Sequence, residues 1–194
     1  KKIRRKILHA ITTKFNLEIP DQLESYYSEE ITLNSEALEV YYKGKYISDF
    51  IKSDEDLKNG KKYLEKSIEL DGDFVEAYSE YGLVCQRLGK YELADTNLQK
   101  AKEIAEKKND NQGLASIYNV LSILYKSQGK YVKSNEHMEK ALEIQVGLNN
   151  KLKEASFRSN YASLLSYLNK LELALEQNKK AIKINESLEE NHIM

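Results

Sequence analysis

Hydrophobic residues recur at intervals of three and four along most of the chain after residue 35, the spacing of one helical face. Residues 77–88 form one such stripe, and Gly89 interrupts it. A second stripe follows over residues 91–105. The pattern predicts two helices joined by a tight turn, with small and large residues alternating so that the helices can interlock closely.

This helix-pair pattern repeats every 40 residues. Gly89-Lys90-Tyr91 aligns with Gly129-Lys130-Tyr131 and then with Asn169-Lys170-Leu171. A shorter offset of 34 relates Leu64-x-x-Ser67 to Leu98-x-x-Ala101. Self-similarity at a fixed interval indicates stacked repeats, so the sequence predicts an all-α fold of about four helix hairpins. The same 40-residue offset joins Tyr81, Leu121 and Tyr161, then Ala94, Ser134 and Ala174, then Ala101, Ala141 and Ala181.

Small residues mark where the two helices of a hairpin should approach most closely. Gly82 and Ala94 are the candidates in the second unit. A bulky side chain at either position would overpack the contact, at a cost of about 1–3 kcal/mol.

The units resemble tetratricopeptide repeats, in which helix A carries W-x2-L-G-x2-Y and helix B carries A-x3-F-x2-A. This resemblance implies a right-handed α-α superhelix, a tetratricopeptide solenoid, and places Asn160 where long repeats often carry a peptide-binding Asn. The matching segments are Tyr78-x2-Tyr81-Gly82-x2-Cys85 with Ala94-x3-Leu98-x2-Ala101, Tyr118-x2-Leu121-Ser122-x2-Tyr125 with Ser134-x3-Met138-x2-Ala141, and Arg158-x2-Tyr161-Ala162-x2-Leu165 with Ala174-x3-Asn178-x2-Ala181.

Several departures from the repeat pattern change the expectation. The chain has no Trp, and Asp71-Gly72-Asp73 stands where Asp-Pro is usual. Arg158 and Asn178 replace apolar residues, so we expect the fourth unit to be degenerate and to lie at an exposed end. Because the 40-residue interval exceeds the common repeat length of 34, the helices of units two to four should be about one turn longer.

We divide the chain into residues 1–34 and a tetratricopeptide domain over residues 35–194. The approximate repeats are 35–74, 75–110, 111–150 and 151–189. Within residues 1–17, one helical face carries the apolar residues Ile3, Ile7, Ala10, Ile11 and Phe15. Every charged residue of this segment is basic, whereas residues 18–39 carry only acidic charges. This predicts a basic N-terminal helix followed by an acidic connector. The apolar face either docks on the solenoid or an upstream domain, or binds a membrane or acidic partner.

Residues 1–80 also resemble a known context, through the segments IRRKILHAITTKFNLEIPDQLE and ALEVYYKGKY followed by DLKNGKKYLEKSIELDGDFVEAY. They are similar to the start of C-terminal tetratricopeptide regions in bacterial multidomain regulators. Such proteins carry an upstream adenylate or guanylate cyclase domain or a winged-helix domain, often with a TolB-like segment between. The resemblance implies that any effector domain precedes residue 1.

Composition and motifs exclude several classes of function. The chain has 30 Lys and Arg against 31 Asp and Glu, for a formal net charge of −1, which argues against direct nucleic-acid binding. His9, His137 and His192 are too far apart for a metal motif, and we expect His137 on a solvated side of its helix. Cys85 lies in an apolar stripe, which indicates a buried, inert thiol.

We therefore expect no catalytic, cofactor-binding or metal site, and no enzyme activity in this chain. No run of apolar residues is long enough to span a membrane. The single cysteine favours a cytoplasmic location, with the periplasmic side of a membrane-anchored regulator as the alternative.

The remaining candidate is the concave groove that the A helices of stacked hairpins line. We expect it to bind a protein or peptide, as the sensory module of a larger bacterial signalling protein. Two alternatives stay open: an oligomerisation or regulatory module of a nucleotide cyclase or transcription regulator, which could form a homodimer, and a peptide-pheromone sensor. The predicted groove residues are Glu76, Ser79, Leu83, Gln86, Arg87, Ser116, Asn119, Ile123, Lys126, Ser156, Ser159, Asn160, Ser163 and Tyr167.

Overall fold

A computed structural model of the chain describes residues 34–50 and 53–193, so the predicted basic helix and acidic connector fall outside the described residues, apart from Asn34 and the start of the first helix. Within those ranges the chain is all-α, with eight helices in succession and no strand. The helices pair as four hairpins, as the repeat predicts. They are α1 (Ser35–Phe50), α2 (Asp54–Leu70), α3 (Val75–Arg87), α4 (Tyr91–Lys108), α5 (Asn111–Ser127), α6 (Tyr131–Gly147), α7 (Lys151–Tyr167) and α8 (Leu171–Ile193).

Short polar side chains begin several of these helices. Ser53, Asp110 and Asn150 each accept a hydrogen bond from the backbone N–H three residues later. Such caps satisfy backbone donors that have no partner inside the helix. Ser53 is the N-cap of α2, which therefore begins at Asp54.

Left-handed backbone conformations end the helices at regular intervals. Gly89 and Gly129 both have a φ of 71°, and Asn169 has a φ of 57°, in the turns within the last three hairpins. Asn109 and Asn149, with φ of 53° and 54°, occupy the turns between hairpins. Glycine and asparagine are the residues that adopt this conformation most readily. The 40-residue interval is therefore visible in the turns as well as in the core.

The helices form two layers. Each helix contacts its neighbours in sequence, and the first helices of successive hairpins also contact one another, as α1 with α3, α3 with α5, and α5 with α7. Among the described residues no such contact joins the second helices of successive hairpins. The first helices therefore form the inner layer of a superhelix, and the second helices form its outer layer.

The core follows the predicted stripes. Leu98 and Met138, at equivalent positions of α4 and α6, are fully buried, whereas Asn178 at the same position of α8 is exposed. A Cβ atom on Gly82 would lie 2.7 Å from the Cγ and Cδ2 atoms of Leu98. Gly82 is thus a point of close helix approach, as predicted, and Asn178 lies at the open end of the stack.

One prediction about helix length is wrong. Helix α3 has 13 residues, whereas α5 and α7, its counterparts in the next two hairpins, have 17 each. The extra turn of the 40-residue interval therefore enters at the N-terminal ends of α5 and α7. It does not lengthen the first helix of the second unit.

Candidate peptide-binding groove

A cavity of about 380 Å³ opens on the inner layer of the superhelix. All four first helices line it: α1, α3, α5 and α7. Its apolar surface includes Leu83, Val120 and Phe157, and its polar surface includes Ser79 and Asn119. Ligand pockets in proteins commonly have volumes of about 300–1,000 Å³ and combine an apolar lining with a few polar groups. The remaining lining residues are Tyr41, Lys45, Glu76, Glu80, Ser116, Leu152, Lys153 and Ser156.

The structure brings six of the predicted groove residues into this cavity. These are Glu76, Ser79 and Leu83 of α3, Ser116 and Asn119 of α5, and Ser156 of α7. The other predicted residues do not line it: Gln86, Arg87, Ile123, Lys126, Ser159, Asn160, Ser163 and Tyr167.

Several of these other residues form a connected surface towards the C-terminal ends of the same helices. Asn160 Nδ2 donates to Asn119 Oδ1 at 2.9 Å, and Lys126 Nζ donates to Ser163 Oγ at 3.1 Å. The Lys126 ammonium also lies 5.3 Å from the centroid of the Tyr167 ring. Burial lowers the pKa of Lys126. Asn119 belongs to both groups, so this second surface adjoins the cavity at Asn119.

Sequence reasoning missed seven residues that line the cavity. Tyr41 and Lys45 lie on α1, whose repeat is too irregular to align with the others. Leu152 and Lys153 lie on the extra N-terminal turn of α7, for which the shorter α3 has no counterpart. Glu80, Val120 and Phe157 are buried, and Val120 and Phe157 could be assigned only to the core from their apolar character.

A network of charges fixes the wall between α1 and α3. Lys45 Nζ lies 3.1 Å from Glu80 Oε2 and 3.0 Å from Asp49 Oδ2. Ser48 Oγ donates to Glu80 Oε1 at 2.5 Å, and Arg87 donates to the Ser48 carbonyl oxygen. Burial raises the pKa of Asp49, and Lys45 partly opposes this effect. Because charges of both signs meet here, the cavity presents no strong net potential.

The cavity therefore suits a ligand with an apolar group and hydrogen-bonding backbone, and it does not select strongly for charge. Side-chain amides such as that of Asn119 donate and accept together, as the peptide main chain also does. Apolar side chains of an extended segment would contact Leu83, Val120 and Phe157. An extended peptide meets both requirements.

The structure corrects the expectation for His137 and shows the burial expected of Cys85. The His137 ring lies between those of Tyr118 and Tyr125, at centroid distances of 5.7 Å and 5.2 Å. Its Nδ1 atom is buried and has no hydrogen-bond partner among the described residues, so the prediction of a solvated side is wrong. Cys85 is fully buried, and this burial raises the pKa of its thiol.

The described residues, 34–50 and 53–193, contain neither a metal-binding cluster nor a helix suited to cross a membrane. No group of three or more His, Cys, Asp or Glu side chains there is arranged to hold a metal ion. None of the helices in this part of the chain combines the length and the apolar character that crossing a membrane requires.

Comparison with known proteins supports the repeat architecture. The family model described as tetratricopeptide repeat matches residues 73–145. No curated protein matches the chain.

Solved structures with a similar fold include BtubC (BKLC) from P. vanneervenii, at a TM-score of 0.63 and 15% identity, over 79% of this chain and 64% of that chain. A crystal structure of MamA matches at a TM-score of 0.55 and 21% identity, over 79% of this chain and 81% of that chain. The structure of MamA 41-end from Desulfovibrio magneticus RS-1 matches at a TM-score of 0.54 and 18% identity, over 78% of this chain and 76% of that chain.

At these identities the structural likeness establishes the fold, and the chain spans less than two thirds of the BtubC structure. The family match covers the hairpin α3–α4 and most of the next one. The 40-residue interval and the two-layered architecture agree with this match: residues 73–145 fit the tetratricopeptide repeat model, and the described residues form an all-α superhelix of stacked helix hairpins.

Proposed function

We propose that this chain is a non-catalytic module that binds an extended peptide segment of a protein partner in its concave groove. The cavity shared by α1, α3, α5 and α7 carries the proposal. Repeat solenoids of this kind present extended concave surfaces to their ligands. The apolar lining would hold side chains of the peptide, and Asn119 would pair with its main chain.

The finer assignments stay predictions. The resemblance of residues 1–80 supports a sensory role within a larger bacterial signalling protein, and the single cysteine favours a cytoplasmic location. A peptide-pheromone sensor would use the same groove with a short free peptide. We favour a segment of a protein, because the polar surface that includes Asn160, Lys126 and Tyr167 adjoins the cavity at Asn119 and could contact a longer ligand.

Selection from a random peptide library against the 194-residue chain tests the proposal directly. Affinities of the selected peptides would be measured by fluorescence anisotropy for the wild type and for Ser116→Trp. Ser116 lines the cavity, and its hydroxyl hydrogen-bonds the Gln112 carbonyl oxygen one turn earlier. A Trp at this position would fill the cavity, and we expect binding to weaken at least about tenfold, or about 1.4 kcal/mol.

Thr96→Trp is the matched control. Thr96 is exposed on the outer helix α4, and its hydroxyl also bonds to a carbonyl oxygen one turn earlier, that of Glu92. We expect its affinity to equal that of the wild type, with unchanged helical circular dichroism in both variants. Failure to select any peptide, or equal binding by both variants, would contradict the proposal.

A further inference from the structure

The inner surface carries a second row of polar residues beside the cavity. Asn119 and Ser156 line the cavity, and Lys126 and Ser163 each follow seven residues later on the same helix, α5 or α7. Seven residues are almost two turns of an α-helix, so the two members of each pair share one face. At a rise of about 1.5 Å per residue, the second row lies about 10 Å further along the two helices.

Contacts with α7 hold the ammonium group of Lys126 in place within this row. Its Nζ atom donates to Ser163 Oγ at 3.1 Å and lies 5.3 Å from the centroid of the Tyr167 ring, within the range of a cation–π contact. The Tyr167 ring in turn stacks on that of Tyr131, with the two centroids 6.2 Å apart. Although Lys126 belongs to the last turn of α5, its ammonium therefore reaches across to the neighbouring inner helix.

The charge of Lys126 is not balanced by a carboxylate. Lys45 and Lys61 are also partly buried, and they form ion pairs with Glu80 and Glu65. Among the described residues no carboxylate forms an ion pair with Lys126, whose hydroxyl and ring partners are both uncharged. Burial alone lowers the pKa of Lys126, so its ammonium is partly withdrawn from water without an opposite charge beside it. A carboxylate of a bound ligand would supply that charge.

We propose that Lys126 selects peptides that carry an Asp or Glu side chain about three residues from the apolar side chain held in the cavity. This inference rests on the proposed function, peptide binding in the groove. An extended chain advances about 3.3 Å per residue, so three residues span the distance of about 10 Å between the cavity row and Lys126. The cavity itself contains charges of both signs, and the charge preference of the groove therefore arises at Lys126.

A double-mutant cycle between the chain and its peptide tests this pairing. Peptides from the library selection are made with acetylated N-termini and amidated C-termini, so that only their side chains carry charge. Each is compared with a version in which Gln replaces the acidic residue. Lys126→Gln retains a hydrogen-bond donor but removes the charge. It should weaken binding of the acidic peptide about fivefold and leave binding of the amide version unchanged, as measured by fluorescence anisotropy.

Lys133→Gln is the matched control. Lys133 is exposed on the outer helix α6, where its ammonium lies 5.7 Å from the centroid of the Tyr125 ring. It thus shares the charge and the aromatic contact of Lys126, but it lies on the outer layer. Its substitution should leave the affinity for the acidic peptide equal to that of the wild type.

Charge reversal adds a gain of binding to the test. Lys126→Glu should bind a peptide with Lys in place of the acidic residue more tightly than the wild type does, since the opposite charges are then exchanged. Selected peptides without an acidic residue at this spacing, equal losses for the acidic and amide versions, or no gain on reversal would overturn this inference and leave groove binding intact. Failure to select any peptide, or binding that Ser116→Trp does not weaken, would contradict the proposed function and this inference with it.

Discussion

Asn160 of α7 donates a hydrogen bond from Nδ2 to Oδ1 of Asn119 on α5, at 2.9 Å. The pairing orients both amides and leaves the Asn119 amino group and the Asn160 carbonyl oxygen for other partners. Those two groups complement the carbonyl and the N–H of an extended peptide. The bond therefore links the stacking of two hairpins to the proposed recognition of main chain.

Substitution of both asparagines by alanine should weaken peptide binding more than it weakens folding. We expect a loss of about 1–3 kcal/mol in binding free energy if each amide contacts the peptide. In a double-mutant cycle on the free energy of unfolding, the coupling between the two residues should be about 0.5–1.5 kcal/mol. Anisotropy with a library-selected peptide and urea unfolding give the two quantities.

Unchanged affinity in the Asn119→Ala, Asn160→Ala chain would remove both asparagines from the binding site. Asn97→Ala is the control, because Asn97 lies on the outer helix α4, where its amide donates to the Leu93 carbonyl oxygen one turn earlier. Its affinity for the peptide should equal that of the wild type.

Gly82→Ala should destabilise the fold. The new Cβ would lie 2.7 Å from two carbon atoms of Leu98, which is fully buried and cannot move away freely. Overpacking destabilises a core by about 1–3 kcal/mol, and the higher helix propensity of Ala offsets up to about 1 kcal/mol of this loss. We expect a net loss in the free energy of unfolding, measured by urea denaturation.

Gly147→Ala supplies the matched comparison. Gly147 is exposed at the end of α6, and a Cβ there would meet no atom within 4 Å. This change should leave the stability equal or slightly higher. Equal effects of the two substitutions would contradict a close approach at Gly82.

The repeat made the fold predictable from sequence, and its irregular parts limited the prediction of the site. Equivalent columns such as Leu98 and Met138 identify buried positions because each hairpin repeats the same contacts. Lys45 comes from the irregular first hairpin, and Lys153 from a turn that α3 lacks. From its place on the second helix of the third unit, the sequence predicts a solvated side for His137. Only the three-dimensional structure shows the Tyr118 and Tyr125 rings on either side of it.

The buried carboxylate of Glu154 should make stability depend on pH in the acidic range. Burial opposes its ionisation, but hydrogen bonds from Lys151 and Arg158 outweigh this effect and lower its pKa below 4.5. The folded state therefore binds the Glu154 proton less tightly than the unfolded state does. The resulting stabilisation is complete above the unfolded pKa of about 4.3, and it is lost as the pH falls through the folded pKa. Glu154→Gln should therefore show a shallower loss of unfolding free energy between about pH 5 and pH 3.

Glu103→Gln tests whether the loss of any carboxylate makes the free energy of unfolding less dependent on pH. Glu103 is exposed on α4, and we expect its substitution to leave the slope of stability against pH close to that of the wild type. If Glu154→Gln kept the full slope as well, the ion pairs with Lys151 and Arg158 would contribute nothing to acid sensitivity.

His137 should make the fold sensitive to pH in a separate range, nearer neutrality. Burial and then the Lys140 charge lower its pKa below 6.5, against weaker opposite effects of Glu136 and Asp95, and Lys102 adds to the lowering. The unfolded chain then binds a proton more readily than the folded chain, so the free energy of unfolding should fall as the pH drops below about 6.5. His137→Phe retains a ring between Tyr118 and Tyr125 and should reduce this loss. Urea unfolding at pH 7.5 and 5.5 measures the difference, and an imidazole titration by NMR with a midpoint at or above 6.5 for His137 would contradict it.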